Sequence, residues 1–169
     1  KGTVSYEGRV VSGLDADAQA DFRLRALGFV FQAYNLIPVL TAAENVEYPL
    51  VLRGMEEGSR RKLALEALRW VSLEGYQNRR PDMLSGGQQQ RVAVARAIVH
   101  SPSLVLADEP TANLDSKTGA QLLDLMESLN LEHGITFLFS SHDPAVLERA
   151  RRVVSLQDGE LRGDDARAR

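Results

Sequence analysis

Residues 104–110 read LVLADEP, an apolar run followed by two adjacent carboxylates and a proline. A short continuous apolar run bounded by Pro102 and by an acidic pair is typical of a strand buried on both faces of a parallel sheet. Ligands of open α/β sheets bind beyond the carboxyl ends of the strands, where Asp108 and Glu109 project. The two carboxylates could hold a metal and a water there, or simply end a strand before the turn at Pro110.

Similar apolar runs lie on both sides of this strand and alternate with helical patterns. Residues 27–32 (LGFVFQ) and 135–140 (ITFLFS) have the composition of buried strands. Residues 116–131 have the apolar spacing of a helix that ends at Gly134. Strands that alternate with helices predict an α/β fold with a parallel sheet.

The ends of the chain carry hairpin signals. Residues 3–11 predict short strands broken at Gly8, and residues 153–156 predict a strand that turns at Asp158-Gly159. The residues after Arg162 are charged and small, and we expect this tail to fray.

The middle of the chain is mostly helical in pattern. Residues 44–72 have helical periodicity, interrupted at Gly54 and Gly58, so they predict at least two helices. Thr41 precedes this region as a predicted N-cap, with Glu44 three residues later to complete a capping box.

Composition excludes several classes of protein. A chain of 169 residues is long enough for about one domain, and a net charge of −3 argues against a strongly basic nucleic-acid binder. Cysteine is absent, which excludes disulfides, thiolate metal sites and a cysteine nucleophile. Apolar stretches are only a few residues long, so no transmembrane helix is expected.

Three further segments carry polar residues that could bind a ligand. Residues 84–88 (LSGGQ) lead into a helix, whose N-terminal N–H groups and dipole suit a phosphate, although Ser85 and Gln88 could equally form a plain capping box. His142 follows the strand 135–140 and could contact a developing charge, or cap the next helix on the surface. The third segment is Asn113-Leu114-Asp115, in which Asp115 could simply be the N-cap of the next helix.

The order of these segments resembles the ATP-binding cassette (ABC) ATPases. LSGGQ (84–88) is similar to the signature motif of that family, and LVLADE (104–109) to its Walker B strand. Gln32 matches the Q-loop, residues 113–115 the D-loop and His142 the switch histidine. Within the family the chain looks most like ATPases of the lipoprotein-releasing and macrolide-exporter group, through three segments: GFVFQ (28–32), NLIP (35–38) and LTAAENV (40–46).

The resemblance implies a P-loop NTPase (RecA-like) α/β fold, a parallel sheet core with an inserted α-helical subdomain. Residues 1–161 would form a partial ABC ATPase domain, followed by the charged tail 162–169. Within it, 1–32 would contain the end of the N-terminal β part and the Q-loop strand, 33–84 the helical subdomain and 85–161 the rest of the core.

The resemblance also implies roles for individual residues. Asp108 would hold Mg²⁺, through water since magnesium keeps much of its hydration shell, and Gln32 would reach the Mg²⁺ and the attacking water. Glu109 would be the general base for that water, or orient it. His142 would contact the γ-phosphate of ATP and stabilise charge in the transition state.

The signature segment implies a second subunit. Ser85, Gly86, Gly87 and Gln88 would bind the ATP held by the opposite subunit of a head-to-tail dimer, and Asp115 would lie at that interface. Transmembrane permease subunits would be the other partners, nucleic acid would not be one, and the protein would be cytoplasmic and peripheral on the inner face of a bacterial-type membrane.

Two alternatives to a transport ATPase stay open. One is a non-transport ABC ATPase, such as a chromosome-maintenance, DNA-repair or ribosome-associated protein. Chromosome and repair types insert a long coiled coil between Q-loop and signature, whereas residues 32–84 have glycine and proline breaks and no sustained heptads. Ribosome-associated types carry two cassettes in one chain, and only one is visible in this sequence. A nucleotide-independent regulatory module is suggested only by a missing motif, since no G-x-x-x-x-G-K-[ST] phosphate loop occurs in the sequence.

The missing loop and the first residue, Lys1 rather than methionine, lead us to expect an N-terminally shortened cassette. The N-terminal part of the core would then be absent. We expect the 169 residues to be inactive and not to fold stably by themselves, because the strand before that loop is central to the sheet.

Overall fold

A computed structural model describes residues 2–167; Lys1 and residues 168–169 lie outside that range. The strands are β1 (Ser5–Tyr6), β2 (Arg9–Val10), β3 (Leu27–Val30), β4 (Leu104–Asp108), β5 (Thr136–Ser140), β6 (Arg152–Gln157) and β7 (Glu160–Ala166). The helices are α1 (Ala16–Ala26), α2 (Ala42–Leu52), α3 (Glu57–Trp70), α4 (Gly86–Ile98), α5 (Ser116–His133) and α6 (Pro144–Arg149). A single 3₁₀ turn, Pro81–Met83, precedes α4.

The central sheet has three parallel strands in the order β3-β4-β5. Leu27 pairs with Leu104, and Leu104 pairs in turn with Thr136, so the three strands start level and end at one edge. Val105 and Ala107 of β4 are buried, whereas its other side chains are more exposed. The predicted parallel α/β arrangement is confirmed, and β4 is more fully buried on one face than on the other.

The expectation that β5 is a buried strand is wrong. Thr136, Leu138 and Ser140 are exposed, with Leu138 at 58% of its full accessible surface, while Phe137 and Phe139 pack against the core. Within residues 2–167, β5 pairs with β4 on one edge and has no strand on the other. An uninterrupted apolar composition therefore does not guarantee that both faces of a strand are covered by the described chain.

Helices α2, α3 and α4 pack against one another and contribute many of the buried apolar side chains. The predicted capping box is present: the Glu44 backbone N–H donates to Thr41 Oγ1 (3.3 Å), and the Thr41 N–H donates to Glu44 Oε2 (2.7 Å). The helical region breaks near Gly54, as its sequence predicts, but Gly58 lies in the first turn of α3 and does not interrupt it. The largest fully buried side chains include Leu50, Leu68, Leu73, Ile98, Leu122 and Met126.

The C-terminal hairpin pairs β6 with β7 as an antiparallel ribbon. Its turn is at Asp158-Gly159, as predicted, and both residues have positive φ (53° and 77°), the requirement of a type I′ turn. The expected fraying after Arg162 is wrong for residues 162–166, which belong to β7. Two hydrogen bonds from the Arg152 guanidinium to the Asp164 carboxylate, each 2.7 Å, help to order them.

No helix within residues 2–167 has both the length and the apolar character that a membrane crossing requires.

Candidate functional site

Polar side chains gather at the edge where the parallel strands end. Asp108 is the last residue of β4 and Glu109 follows it, while Ser141 and His142 follow β5. Gln32 comes two residues after the end of β3. Because parallel strands bring their carboxyl ends to one edge, the fold gathers residues that are more than a hundred positions apart in the sequence.

The Glu109 carboxylate is held by groups that follow β5. Its Oε2 accepts a hydrogen bond from Ser141 Oγ (2.8 Å). Its Oε1 shares a hydrogen bond with His142 Nδ1 (2.6 Å) and accepts another from the His142 backbone N–H (3.3 Å). The Glu109 N–H donates to Ser140 O (2.9 Å), and its φ of 42° lies in the left-handed region. The structure thus brings two of the predicted catalytic residues, Glu109 and His142, into direct contact.

The electrostatics keep this carboxylate ionised near neutral pH. Partial burial raises the pKa of Glu109, but hydrogen bonds from Ser141 and His142 outweigh that effect and leave its pKa below the ordinary value. The Glu109 side chain retains 21% exposure and that of His142 93%, so both can be reached by water and by a ligand.

Asp108 and Gln32 are exposed beyond the ends of neighbouring strands and offer carboxylate and amide oxygens. Oxygen donors suit Mg²⁺, which nucleotide enzymes hold with one or two carboxylates, water and the phosphates of the substrate. The residues present therefore fit magnesium as a metal shared with a nucleotide.

The signature segment is built around the start of α4. Ser85 is the N-cap: Gln88 N–H donates to Ser85 Oγ (3.3 Å), and the Ser85 N–H donates to Gln88 Oε1 (3.0 Å), so the capping-box alternative is correct. A Cβ on Gly87 would lie 2.5 Å from Thr118 Cγ2, and one on Gly86 would lie 3.0 Å from the Tyr34 hydroxyl. Close packing therefore favours glycine at both positions, whether or not a phosphate binds there.

Asp115 likewise has an internal role. It is the N-cap of α5, accepting from the Thr118 N–H (3.0 Å) and from Thr118 Oγ1 (2.6 Å), and these bonds lower its pKa. Since Thr118 also contacts the Gly87 position, the structure brings the predicted D-loop beside the predicted signature segment. The side-chain hydrogen bonds of Ser85 and Asp115 cap the N-termini of α4 and α5. The predicted roles of these two residues toward a nucleotide stay predictions.

The neighbourhood includes two polar residues that sequence reasoning missed. Gln90 is completely buried, and its Nε2 donates to Pro110 O (2.7 Å). Thr111 Oγ1 donates to Asp143 Oδ2 (2.9 Å), which ties the turn after β4 to the start of α6. The sequence could have indicated Gln90, because this residue lies four positions before Val94 on the apolar face of α4, where a polar amide is unusual.

Comparison with known proteins identifies the family of this chain. A sequence model of the ABC transporter family matches residues 1–112. The ABC transporter ATP-binding protein YtrE of Bacillus subtilis (strain 168) is 45% identical over 163 residues, 96% of this chain and 71% of YtrE. The macrolide export ATP-binding/permease protein MacB of Syntrophobacter fumaroxidans is 44% identical over 160 residues, which are 94% of this chain and 22% of MacB.

Solved structures give the same result for the fold. One is MJ0796, an ATP-binding cassette of Methanocaldococcus jannaschii, solved as a dimer bound to ADP and Pi. It superposes on this chain with a TM-score of 0.85 and 44% sequence identity, and the match covers 98% of this chain and 73% of the MJ0796 chain. The P-loop NTPase class of α/β fold is thereby confirmed. The chain belongs to the ABC transporter family and has the fold of its ATP-binding domain.

Proposed function

We propose that the gene product containing this chain binds and hydrolyses ATP as the ATPase subunit of an ABC transporter. The observation that carries the proposal is the Glu109 carboxylate, ionised and held by Ser141 and His142 at the carboxyl end of β4. Family membership supports the same activity.

Glu109 is proposed to act on the water that attacks the γ-phosphate. Its Oε2 accepts one hydrogen bond, from Ser141, and so retains a lone pair that can receive a proton from that water. The water oxygen then bonds to the γ-phosphorus while the bond from that phosphorus to the bridging oxygen breaks, giving ADP and phosphate.

We propose that His142, Asp108 and Gln32 act on the phosphates of ATP and on the magnesium bound to them. Because Nδ1 of His142 is hydrogen-bonded to Glu109, Nε2 is the ring nitrogen that would contact a phosphate oxygen, and 93% of the His142 side chain is exposed. Asp108 and Gln32 would hold Mg²⁺, which when bound neutralises charge on the β- and γ-phosphates. The 169 residues contain no G-x-x-x-x-G-K-[ST] loop, so the contacts such a loop makes are assigned to no residue of this sequence.

A second ATPase subunit and a membrane permease are the proposed partners. The dimeric MJ0796 structures support a dimer. The proposal places Ser85, Gly86, Gly87 and Gln88 against the partner's nucleotide, with Asp115 at the interface. The name of MacB describes a single protein that is both ATP-binding and a permease. This supports a permease partner and a position at the inner face of a membrane.

The structure offers a surface suited to a permease segment. A groove of about 430 Å³ lies between α1, β3, α2 and α4, with an apolar lining that includes Phe31, Tyr48 and Leu52. All three side chains are exposed, and Arg96 adds a cation at the same groove. We propose that the permease docks in this groove, against α2 of the helical part (residues 33–84) and the adjoining α1, β3 and α4.

The test of the proposed activity is Glu109→Gln in the full-length gene product that contains this sequence. The amide cannot accept the proton, so ATP turnover should fall by roughly 10²- to 10⁴-fold while ATP binding is retained. Phosphate release and equilibrium binding of ATP measure the two effects.

A matched control is Glu127→Gln, the same change on the exposed face of α5, which should leave turnover unaltered. Undiminished hydrolysis by the Glu109→Gln variant would refute the role of Glu109. A wild-type protein that does not hydrolyse ATP at all would refute the proposed function.

A further inference from the structure

A fully buried amide lies inside α4, close to the candidate site but outside its predicted residues. Gln90 has no accessible surface, and its Nε2 lies within hydrogen-bond distance of two backbone oxygens, Pro110 O (2.7 Å) and Phe31 O (3.5 Å). Burying an amide is unfavourable unless its polar atoms are bonded. This position therefore calls for an explanation beyond packing.

The two carbonyls belong to the two segments that hold the proposed catalytic groups. Pro110 follows Glu109 directly, and Phe31 precedes Gln32 directly. One side chain thus joins the segment after β3 to the turn after β4. A second bond, from Asn113 Nδ2 to Gln32 O (2.8 Å), joins the same two segments at the exposed edge.

The orientation of the Gln90 amide follows from its surroundings. With the amide reversed, its oxygen would face two carbonyl oxygens and no donor, so Nε2 is placed toward them. In this orientation Oε1 has no hydrogen-bond partner within the described residues. Half of the amide is therefore unsatisfied, which would favour an apolar side chain if α4 needed only to pack.

Glu109 needs a support of this kind. Its backbone has a φ of 42°, which a non-glycine residue keeps only where the surrounding structure imposes it. The bond from Gln90 to Pro110 O fixes the next residue of the chain, and hence the direction in which the Glu109 carboxylate points. Gln90 also lies only five residues after Ser85 on the same helix, about 7.5 Å along its axis.

We propose that Gln90 is a positioning residue that sets the Glu109 carboxylate relative to the Gln32 segment and links both to the signature end of α4. The inference rests on the proposed ATPase function and deepens it. Gln90 touches no substrate in this role; it acts through the backbone on either side of the attacking water.

The first test is Gln90→Met, which preserves the volume of the side chain but removes the donor. In the full-length gene product, kcat for ATP hydrolysis should fall about 10- to 100-fold, because small misplacements of a catalytic group have effects of that size. The KM for ATP should change less than about twofold, since the residue makes no contact with the nucleotide.

The matched control is Gln89→Met. The Gln89 amide also donates to a backbone carbonyl, Leu84 O (3.1 Å), but that bond stays at the start of α4. Its kcat should remain within about twofold of wild type. Equal kcat values for the two methionine variants would overturn the proposal.

A second variant, Gln90→Glu, separates positioning from general packing. A buried carboxyl group facing two carbonyl oxygens is favoured in its protonated form, and the protonated group can donate to Pro110 O. The ratio of its kcat to that of wild type should therefore fall at least tenfold as pH rises from 5.5 to 8.5. A ratio that does not vary with pH would contradict the assigned hydrogen bond.

Hydrogen exchange distinguishes a failure of this proposal from a failure of the proposed function. Gln90→Met should accelerate amide exchange at residues 31–35 and 109–114 but not across α5, whether or not the wild type hydrolyses ATP. Absence of that local effect would overturn the positioning role. Absence of wild-type hydrolysis, with the local effect present, would refute only the ATPase function.

Discussion

At the scale of single residues, His100 stands out as a histidine in apolar surroundings. It follows α4, and neither ring nitrogen has a hydrogen-bond partner within the described residues. Burial, together with the nearby positive charge of Arg53, lowers the pKa of His100 to about 4. The Leu27 backbone opposes this shift only weakly, since it does not meet either nitrogen in a full hydrogen bond.

This shift predicts a loss of stability in acid. The folded pKa lies below the unfolded value of about 6.5, so the unfolded state binds more protons between the two. The free energy of unfolding should therefore fall as pH decreases from about 6.5 toward 4, by on the order of 2 kcal/mol for a partly screened ring.

Urea unfolding of the full-length gene product at pH 7.5 and pH 5 measures this loss. His100→Leu should reduce the difference between the two pH values. The expectation fails if the His100→Leu variant retains the wild-type pH dependence.

At the scale of elements, the contact of β3 with α4 depends on a glycine. A Cβ on Gly28 would lie 2.4 Å from Ala97 O and 2.8 Å from Val105 Cγ2, so any larger side chain must push the strand away from the helix. Gly28→Ala should lower the free energy of unfolding by about 1–3 kcal/mol, the usual range for overpacking.

Denaturant unfolding provides the measurement for Gly28→Ala. Gly13→Ala serves as the control, because its added Cβ would meet no atom within 4 Å. Equal stability of the two variants would show that β3 can shift at little cost.

Local signals in the sequence predicted most of the elements. The capping boxes at Thr41 and Ser85 were predictable because each needs only four consecutive residues. The exposed face of β5 was not, since burial depends on which elements cover a strand. The bond from Gln90 to Pro110 spans twenty positions, and only folding brings such groups together.

The candidate site was also predictable only in part. Asp108 and Glu109 were predictable because they end an apolar strand, and His142 because it follows another. Their direct contact was not, for it depends on the parallel pairing of Asp108 with Ser140.

At the scale of the whole molecule, apolar surface remains exposed on two sheets. Leu138 lies on the open face of β5, and Leu156 and Leu161 of the β6–β7 hairpin are 71% and 62% exposed. The core cluster includes none of these three residues. Such surface and a free strand edge favour association over independent stability.

We therefore expect a protein made of these 169 residues alone to lack a cooperative unfolding transition, or to aggregate. Circular dichroism in urea, with light scattering to detect aggregates, tests this expectation. A soluble 169-residue chain with one sharp transition would contradict this expectation.

The left-handed backbone at Glu109 has a consequence for how this protein can be improved. Holding a glutamate at a φ of 42° costs about 1 kcal/mol that a glycine would not. A glycine there would relieve this strain but lose the hydrogen bonds that the carboxylate makes with Ser141 and His142. The residue that strains the backbone is thus also the residue that joins the turn after β4 to the segment after β5, so an engineering campaign aimed at heat resistance has to hold Glu109 constant.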